Sequence, residues 1–313
     1  MSPTPKTVHD AAEAWLKRCE REQLDNQTLK TYRSQANNHI LPRLGDRVLS
    51  ELRRVDIKDF VDEMLDENSR AMTRKVLVSL KSLLKEAVER EWIDASPAVE
   101  IKLKRQKRHD KRIEIPTKEE IRLLMHHAPD RHRAMIVAAV FTGMRISELR
   151  GLTWDHVDFE RRIIEIRQRA NRLNEMGSPK SSAGNRDIPM APMVVHALEA
   201  WRPHCPAGDL GLVFPNGAGN VESYGNIMRR VFYPLQEAAG IVDSSGKAKY
   251  GFHGLRHAAA SLMIEQKWPA KKIQVILGHS SIMVTFDTYG HLFTRAEDDV
   301  ELFEKMEHDL MAA

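Results

Sequence analysis

A few polar side chains in the C-terminal two thirds of the chain have types and spacings that suit one reaction. Arg145 lies in "FTGMRISELRGLTW" and Lys180 in "GSPKSSAGNRDIP". His253 and Arg256 share "FHGLRHAAAS", three residues apart, so one helical turn puts them on one face. His279 and Tyr289 share "GHSSIMVTFDTYGHL". Glu148 is the one acid close by in sequence, and a single carboxylate does not make a Mg²⁺ site. Two arginines, a lysine, two histidines and a tyrosine fit phosphoryl transfer to a tyrosine oxygen. A phosphodiester under attack gains negative charge on its non-bridging oxygens. Guanidinium forks match those oxygens, being planar, permanently charged and bidentate. They can stand in for the metal ion that other sites use to stabilise that charge. The leaving oxygen needs a proton, which a lysine or histidine can give. A phenol titrates near about 10, so a neighbouring base or cation must help it attack.

Each of these residues also has an ordinary structural reading. Arg145 suits a helix-cap salt bridge, and Lys180 a solvated lysine at a hairpin tip. His253 and His279 suit core histidines with satisfied hydrogen bonds. Tyr289 suits a half-buried aromatic with its hydroxyl at the surface. The set as a whole, in its order along the chain, carries the chemical reading. A rival metal site would use the histidines of "MHHAPDRH". That stretch has no ligating carboxylate geometry and is expected at a helix end.

The chain of 313 residues is long enough for two domains with cores of their own. Residues 11–20, 28–40 and 55–67 read as helices. The clearest helix runs from Thr73 to Glu91, where Val76, Leu80, Leu83 and Ala87 form a stripe at helical spacing. "LPRLGDRVL" reads as a turn. A first, helical domain is therefore expected over residues 1–100. The next stretch, 101–115, reads as an extended linker bracketed by Pro97 and Pro116. Between Lys102 and Arg112 it carries seven basic residues and one acid. Lys102, Lys104, Arg105, Lys107, Arg108, Lys111 and Arg112 would lie well along phosphates; the plain alternative is a tether. A second domain over 116–313 opens with a capping box at Thr117 and Glu120. "AMIVAAVFTGM" reads as a helix buried all round, "RRIIEIRQR" as a strand, and the turn-rich stretch after it as part of a hairpin or small sheet. Helices follow to the end. The expected fold class is mainly α with a small antiparallel β-sheet in the second domain.

Seven acids and one lysine between Glu297 and Asp309 give that segment a charge of −6, leaving +10 on the rest of a chain of net charge +4. A basic body with an acidic end suits a polyanionic partner; the alternative is a solvated lysine-rich surface. No run of eighteen apolar residues exists and the N-terminus has no apolar core of a signal peptide, so neither a membrane span nor secretion is expected. The two cysteines, Cys19 and Cys205, read as free thiols of a cytosolic protein.

The chain resembles a tyrosine recombinase of the phage-integrase family. "TGMRISELRGLTWDHVDF" is similar to the family's first arginine motif, "PKSSAGNRDIPM" to its β-hairpin lysine segment, "FHGLRHAAASLM" to its His-x-x-Arg box and "LGHSSIMVTFDTYGHL" to its nucleophile box. Four motifs in order make the match specific over 141–292, while residues 1–100 resemble the core-binding domain more loosely. The resemblance implies that Tyr289 is the nucleophile, forming a 3′-phosphotyrosyl link and freeing a 5′-hydroxyl. Arg145 and Arg256 would clamp the scissile phosphate, and Lys180 would protonate the leaving oxygen. His253 would act on the tyrosine proton and His279 would hydrogen-bond the phosphate, with Glu148 and His257 in support. It implies no metal and no cofactor, and no ATP, because the phosphotyrosyl bond keeps the energy of the broken phosphodiester. It implies double-stranded DNA as partner, a two-domain DNA clamp, and a tetramer on DNA that exchanges strands through a Holliday junction. The free protein is expected to be a monomer in a bacterial cytoplasm, serving a mobile element, with an accessory directionality factor as a further partner. Val300, Phe303, Met306 and Leu310 form an apolar stripe on the acidic tail, which would pack on a neighbouring subunit rather than fold back on its own domain.

Ala258 stands where the His-x-x-Arg box usually continues with Thr, so one hydroxyl near the pocket is absent. Ten residues from His279 to Tyr289 is a phage-integrase spacing. Few residues precede the first helix, so a separate arm-binding domain is not expected. Two other activities compete: a type IB topoisomerase with the same chemistry, and a DNA-binding regulator that has lost catalysis.

Overall fold

The computed structural model describes residues 5–103, 113–293 and 296–312. The chain divides into two compact units, 1–110 and 111–313. The first is all helical. It contains α1 (Val8–Arg21), α2 (Asn26–Gln35), α3 (Leu41–Leu44), α4 (Arg54–Glu67) and α5 (Arg70–Glu89). Thr7 and Asp10 cap α1 reciprocally. The stripe Val76, Leu80, Leu83 and Ala87 is fully buried against Trp15, Ile57 and Met64. The stretch expected to be a turn is helical at its start. A π-helical turn at Ala36–Ile40 carries α2 into α3, and Pro42 sits in the first turn of α3, where its missing N–H costs nothing. Ile101 and Leu103 pack on this core, so the ordered first unit runs past residue 100, where the linker was expected to start. Lys102 is exposed. Lys104, Arg105, Lys107, Arg108, Lys111 and Arg112 lie outside the described residues.

The second unit begins with α6 (Lys118–His127), α7 (Asp130–Thr142) and α8 (Ile146–Arg150). The predicted capping box is present, with Thr117 N donating to Glu120 at 2.8 Å and Glu120 N to Thr117 at 3.2 Å. In α7 every residue from 134 to 140 is buried, as an apolar run without polar face requires. Strands β1 (Val157–Asp158), β2 (Ile163–Ile166) and β5 (Arg186–Pro189) form an antiparallel sheet in the order β1-β2-β5. Strands β3 (Arg169–Ala170) and β4 (Met176–Gly177) form a separate hairpin. The hairpin turn is 171–175, so Lys180 lies beyond β4 on the returning chain and not at the tip.

Helix α9 (Pro192–Trp201) packs on α7. A helical stretch follows: α10 (Tyr224–Asn226), a π-helical segment at Ile227–Phe232, and α11 (Tyr233–Ala238). Then come α12 (His253–Glu265), α13 (Ala270–Leu277), α14 (Ile282–Phe293) and α15 (Ala296–Met311). Helix α12 packs on α7 on one side and on α13 and α14 on the other. The functional candidates are gathered where these meet. Among the described residues no helix is long and apolar enough to cross a membrane.

Candidate active site

The C-terminus of α13 organises the site. A helix ends in carbonyls without intrahelical partners and at the negative end of its dipole, so it attracts cations. Three successive carbonyls here accept from three arginines. Ile276 O accepts from Arg186 Nε at 2.6 Å, Leu277 O from Arg256 Nη2 at 2.6 Å and Gly278 O from Arg145 Nη2 at 2.9 Å. Gly278 turns the chain with φ +64°, and a Cβ there would lie 2.8 Å from both Ala183 O and Arg186 Nη1. Only glycine meets both demands.

Arg145 is the N-cap of α8, two residues after the left-handed Gly143 that ends α7. Its N–H and Nη1 donate to the two oxygens of Glu148 at 2.9 and 2.7 Å. Arg256 is 2% exposed and also donates from Nη1 to Gly143 O at 2.7 Å. A guanidinium has five N–H donors, so each of these two keeps donors for an anion. Burial first, then the nearby Arg145, pushes Arg256 down to about 9. It stays charged at neutral pH.

Glu148 is 3% exposed. Burial alone would raise its pKa, but the hydrogen bonds and charge of Arg186, then Arg145, hold it below the ordinary glutamate value. Arg186 Nη1 and Nη2 reach its two oxygens at 3.1 and 2.8 Å. Arg186 Nη1 also donates to Gly184 O at 3.0 Å.

Tyr289 is 1% exposed, and its hydroxyl is 2.8 Å from His257 Nδ1. Burial raises the phenol to about 12, against the pull of Arg256. His279 stacks beside the same ring, centroids 6.4 Å apart and planes 16° off parallel. Its Nδ1 is 2.9 Å from Oγ1 of the fully buried Thr285. A hydroxyl donating there leaves the proton of His279 on Nε2. Burial first, then Arg256, Arg145 and Arg186, pushes His279 down to about 3. His253 meets His257 edge to face at 4.7 Å. Partial burial, then His257, Arg256 and Arg145, pushes His253 down to about 4, although its ring opens to solvent, which screens part of that push. Burial, then Arg256, lowers His257 as well. All three imidazoles are therefore neutral at pH 7.

The structure thus brings Arg145, Glu148, His253, Arg256, His257, His279 and Tyr289 together from α8, α12, the Gly278 turn and α14. Lys180 is exposed and makes no hydrogen bond or ion pair among the described residues. The phenol partner is His257 and not His253, the reverse of the order the motif resemblance suggested. His126 and His127 end α6 and His132 opens α7; among the described residues no group of three metal-ligating side chains converges.

The family model described as "Phage integrase family" matches residues 115–295, more than half of the chain. The chain belongs to the phage integrase family. A second model, the N-terminal SAM-like domain of phage integrases, matches residues 7–65. Similar proteins include a "Tyrosine recombinase XerC-like" protein of Caldanaerobacter subterraneus subsp. tengcongensis, 23% identical over 92% of this chain and 80% of the relative. A putative prophage phiRv2 integrase of Mycobacterium tuberculosis is 26% identical over 86% of this chain and 70% of its own. Among solved structures, the Tn1549 transposon integrase in complex with a circular intermediate DNA superposes with a TM-score of 0.76 at 21% identity, covering 96% of this chain and 99% of that one. A lambda integrase tetramer bound to a Holliday junction superposes with a TM-score of 0.70 at 19% identity, covering 90% and 79%. These likenesses establish the integrase fold, mainly helical with a small antiparallel sheet. The chain is a tyrosine recombinase, an enzyme of DNA cleavage and rejoining.

Within this integrase, two site residues escaped the sequence reading. Arg186 occupies an inward position of β5, two residues before the buried Ile188. A charged residue in the inward register of a strand was the available signal. Thr285 lies four residues before Tyr289, hence on the same helical face.

Proposed function

We propose that this integrase recombines double-stranded DNA at specific sites through a 3′-phosphotyrosyl intermediate on Tyr289. The observation that carries the reading is the meeting of two guanidiniums and three neutral imidazoles around one buried tyrosine. Arg145 and Arg256 are held by carbonyls and Glu148 with N–H donors to spare, which suits two non-bridging phosphate oxygens. Their fixed charges stabilise the transition state without reorganisation. His279, with its proton on Nε2, donates to the same phosphate. Tyr289 Oη attacks phosphorus, its proton passes to His257 Nδ1, and the bond from phosphorus to the 5′ oxygen breaks. Lys180 protonates that oxygen. His257 replaces His253 in the proton-accepting role because it is the group within hydrogen-bonding distance of the phenol. His253, open to solvent beside it, faces incoming DNA.

The bond energy is retained in the tyrosyl ester, so a second 5′-hydroxyl can reverse the step on another strand, giving a Holliday junction. Both units would contact the duplex, and the basic stretch 102–112 would lie along its phosphates. Phe303, Met306 and Leu310 of α15 are 68%, 60% and 75% exposed. An apolar stripe left open on a helix supports docking on a neighbouring subunit in a tetramer on DNA. Serving a mobile element fits the transposon and prophage integrases it resembles.

The test uses a nicked suicide duplex carrying a site recovered by sequencing adducts from a random duplex library. A covalent protein–DNA adduct is expected that survives EDTA and vanishes in Tyr289→Phe. An adduct that persists in that variant, or that EDTA abolishes, contradicts the mechanism.

A further inference from the structure

We infer that Arg150 is a positioning residue for strand cleavage: it fixes the β3–β4 hairpin, and through it Lys180, to α8. The inference rests on the reading of Lys180 as proton donor. Arg150 is 1% exposed, as buried as Arg256 in the phosphate clamp. Its Nε donates to Glu222 O at 2.6 Å. Its Nη1 donates to Asn171 O at 3.0 Å and more weakly to Ala170 O at 3.5 Å, and its Nη2 to the side chain of Asn174. Every contact with the hairpin falls on the end of β3 and on the turn.

That turn is ordered by its own bonds. Asn171 Oδ1 accepts from Leu173 N at 2.8 Å and Glu175 N at 3.1 Å, and Asn171 N donates to Glu175 O at 2.9 Å. Asn174 takes the left-handed conformation at φ +65° and points its amide oxygen at Arg150. Beside Arg150, a Cβ on Gly151 would lie 2.6–2.7 Å from the backbone of Arg169 and Ala170. The end of α8 therefore touches β3 backbone to backbone. The hydrogen-bond acceptors of Arg150 are neutral oxygens, and burial lowers its pKa with the nearby Glu222 charge offsetting part of that, so it carries a desolvation cost that an apolar side chain would not. What it supplies is direction: two carbonyls and one amide oxygen fix the hairpin's orientation, and Glu222 O holds the guanidinium from outside it.

The other side of the Lys180 segment is held too. Gly184 O accepts from Arg186, and Arg186 grips Glu148 in α8. One five-residue helix thus holds the chain on both sides of Lys180, by Arg150 at 170–174 and by Glu148 through Arg186 at 184. The same helix is capped by Arg145. Phosphate clamp and proton donor are referred to a single element.

The whole 313-residue chain is tested on the recovered suicide duplex, made with either oxygen or sulfur at the 5′ bridging position of the scissile phosphate. A thiolate leaves without protonation, so a defect in the proton donor is bypassed on the sulfur substrate. Arg150→Met removes the anchor. Asn174→Gly keeps the left-handed backbone and removes one acceptor, which leaves a folded test protein should Arg150→Met not fold. On the oxygen substrate we expect cleavage to fall about 10- to 100-fold for Arg150→Met and about 10-fold for Asn174→Gly, as for lost hydrogen bonds to a charged group. On the sulfur substrate both should return to within about threefold of wild type, as Lys180→Ala should if Lys180 is the proton donor. Equal loss on both substrates for the Arg150 and Asn174 variants, with Lys180→Ala rescued, overturns the inference alone. Failure to rescue Lys180→Ala overturns the proton-donor reading and the inference with it.

Discussion

Replacing Arg186 with Met keeps much of the side-chain volume and removes the charge that Glu148 depends on. In the wild type, Arg186 makes four hydrogen bonds, two to Glu148 and one each to Ile276 O and Gly184 O. Both partners of the ion pair are 3% exposed. The variant leaves two buried carbonyls without a donor, each costing about 1 kcal/mol or more. Glu148 retains Arg145 alone, and losing one partner of a buried pair costs roughly 3–5 kcal/mol. We expect a destabilisation of about 5 kcal/mol or more at pH 7, read by urea denaturation. Its pH dependence is diagnostic. Wild-type Glu148 sits below the ordinary value of 4.5. Its favourable contribution is therefore present above that pH and is lost as pH falls through the native pKa. In the variant, burial without Arg186 raises Glu148 above 4.5, so a penalty grows as pH climbs through that value toward the raised pKa. The gap between the two proteins must widen from pH 4 to pH 7. A gap below about 1 kcal/mol, or one that is flat with pH, refutes the account of how Glu148 is held.

Thr285→Val removes the hydroxyl that orients His279; we expect adduct formation to slow about 10-fold with DNA affinity unchanged, measured by single-turnover cleavage and gel shift. Neutralising Lys104, Arg105, Lys107 and Arg108 together should flatten the salt dependence of DNA binding, by up to about 0.9 in log–log slope for each charge that meets a phosphate; an unchanged slope returns the stretch to a plain tether. Replacing Phe303, Met306 and Leu310 with serine should leave binding to a single half-site intact and abolish higher assemblies on a full site, followed by analytical ultracentrifugation.

Much of the site was legible because its residues come in short segments whose types and spacing state their chemistry. Arg145 with Glu148, and His253 with Arg256, are pairs three apart on helices, so local geometry alone brings them together. The buried α7 and the stripe on α5 followed from periodicity. Arg186 was not legible in the same way. Its partners at 148, 184 and 276 are brought to it only by the tertiary fold, and its one local signal, a charge in the inward register of a four-residue strand, does not name them. The exchange of His253 for His257 at the phenol has a similar cause: both lie on α12 near Arg256, and the packing of α14 decides which ring Tyr289 reaches. Lys180 was misplaced at a hairpin tip because β3 and β4 are two residues each, too short for alternation to mark their ends. The helical turn at Leu41–Leu44 was hidden by Pro42 and Gly45, which punctuate turns and helix ends alike.

The step on which the rest depends is the covalent joining of DNA to Tyr289, buried against His257 and His279. It is tested most directly by trapping the protein on the suicide duplex, trimming the DNA with nuclease and locating the remaining nucleotide by tandem mass spectrometry. The expected product is a nucleotide joined through its 3′ phosphate to Tyr289. A nucleotide on any other residue, or one joined through a 5′ phosphate, contradicts it.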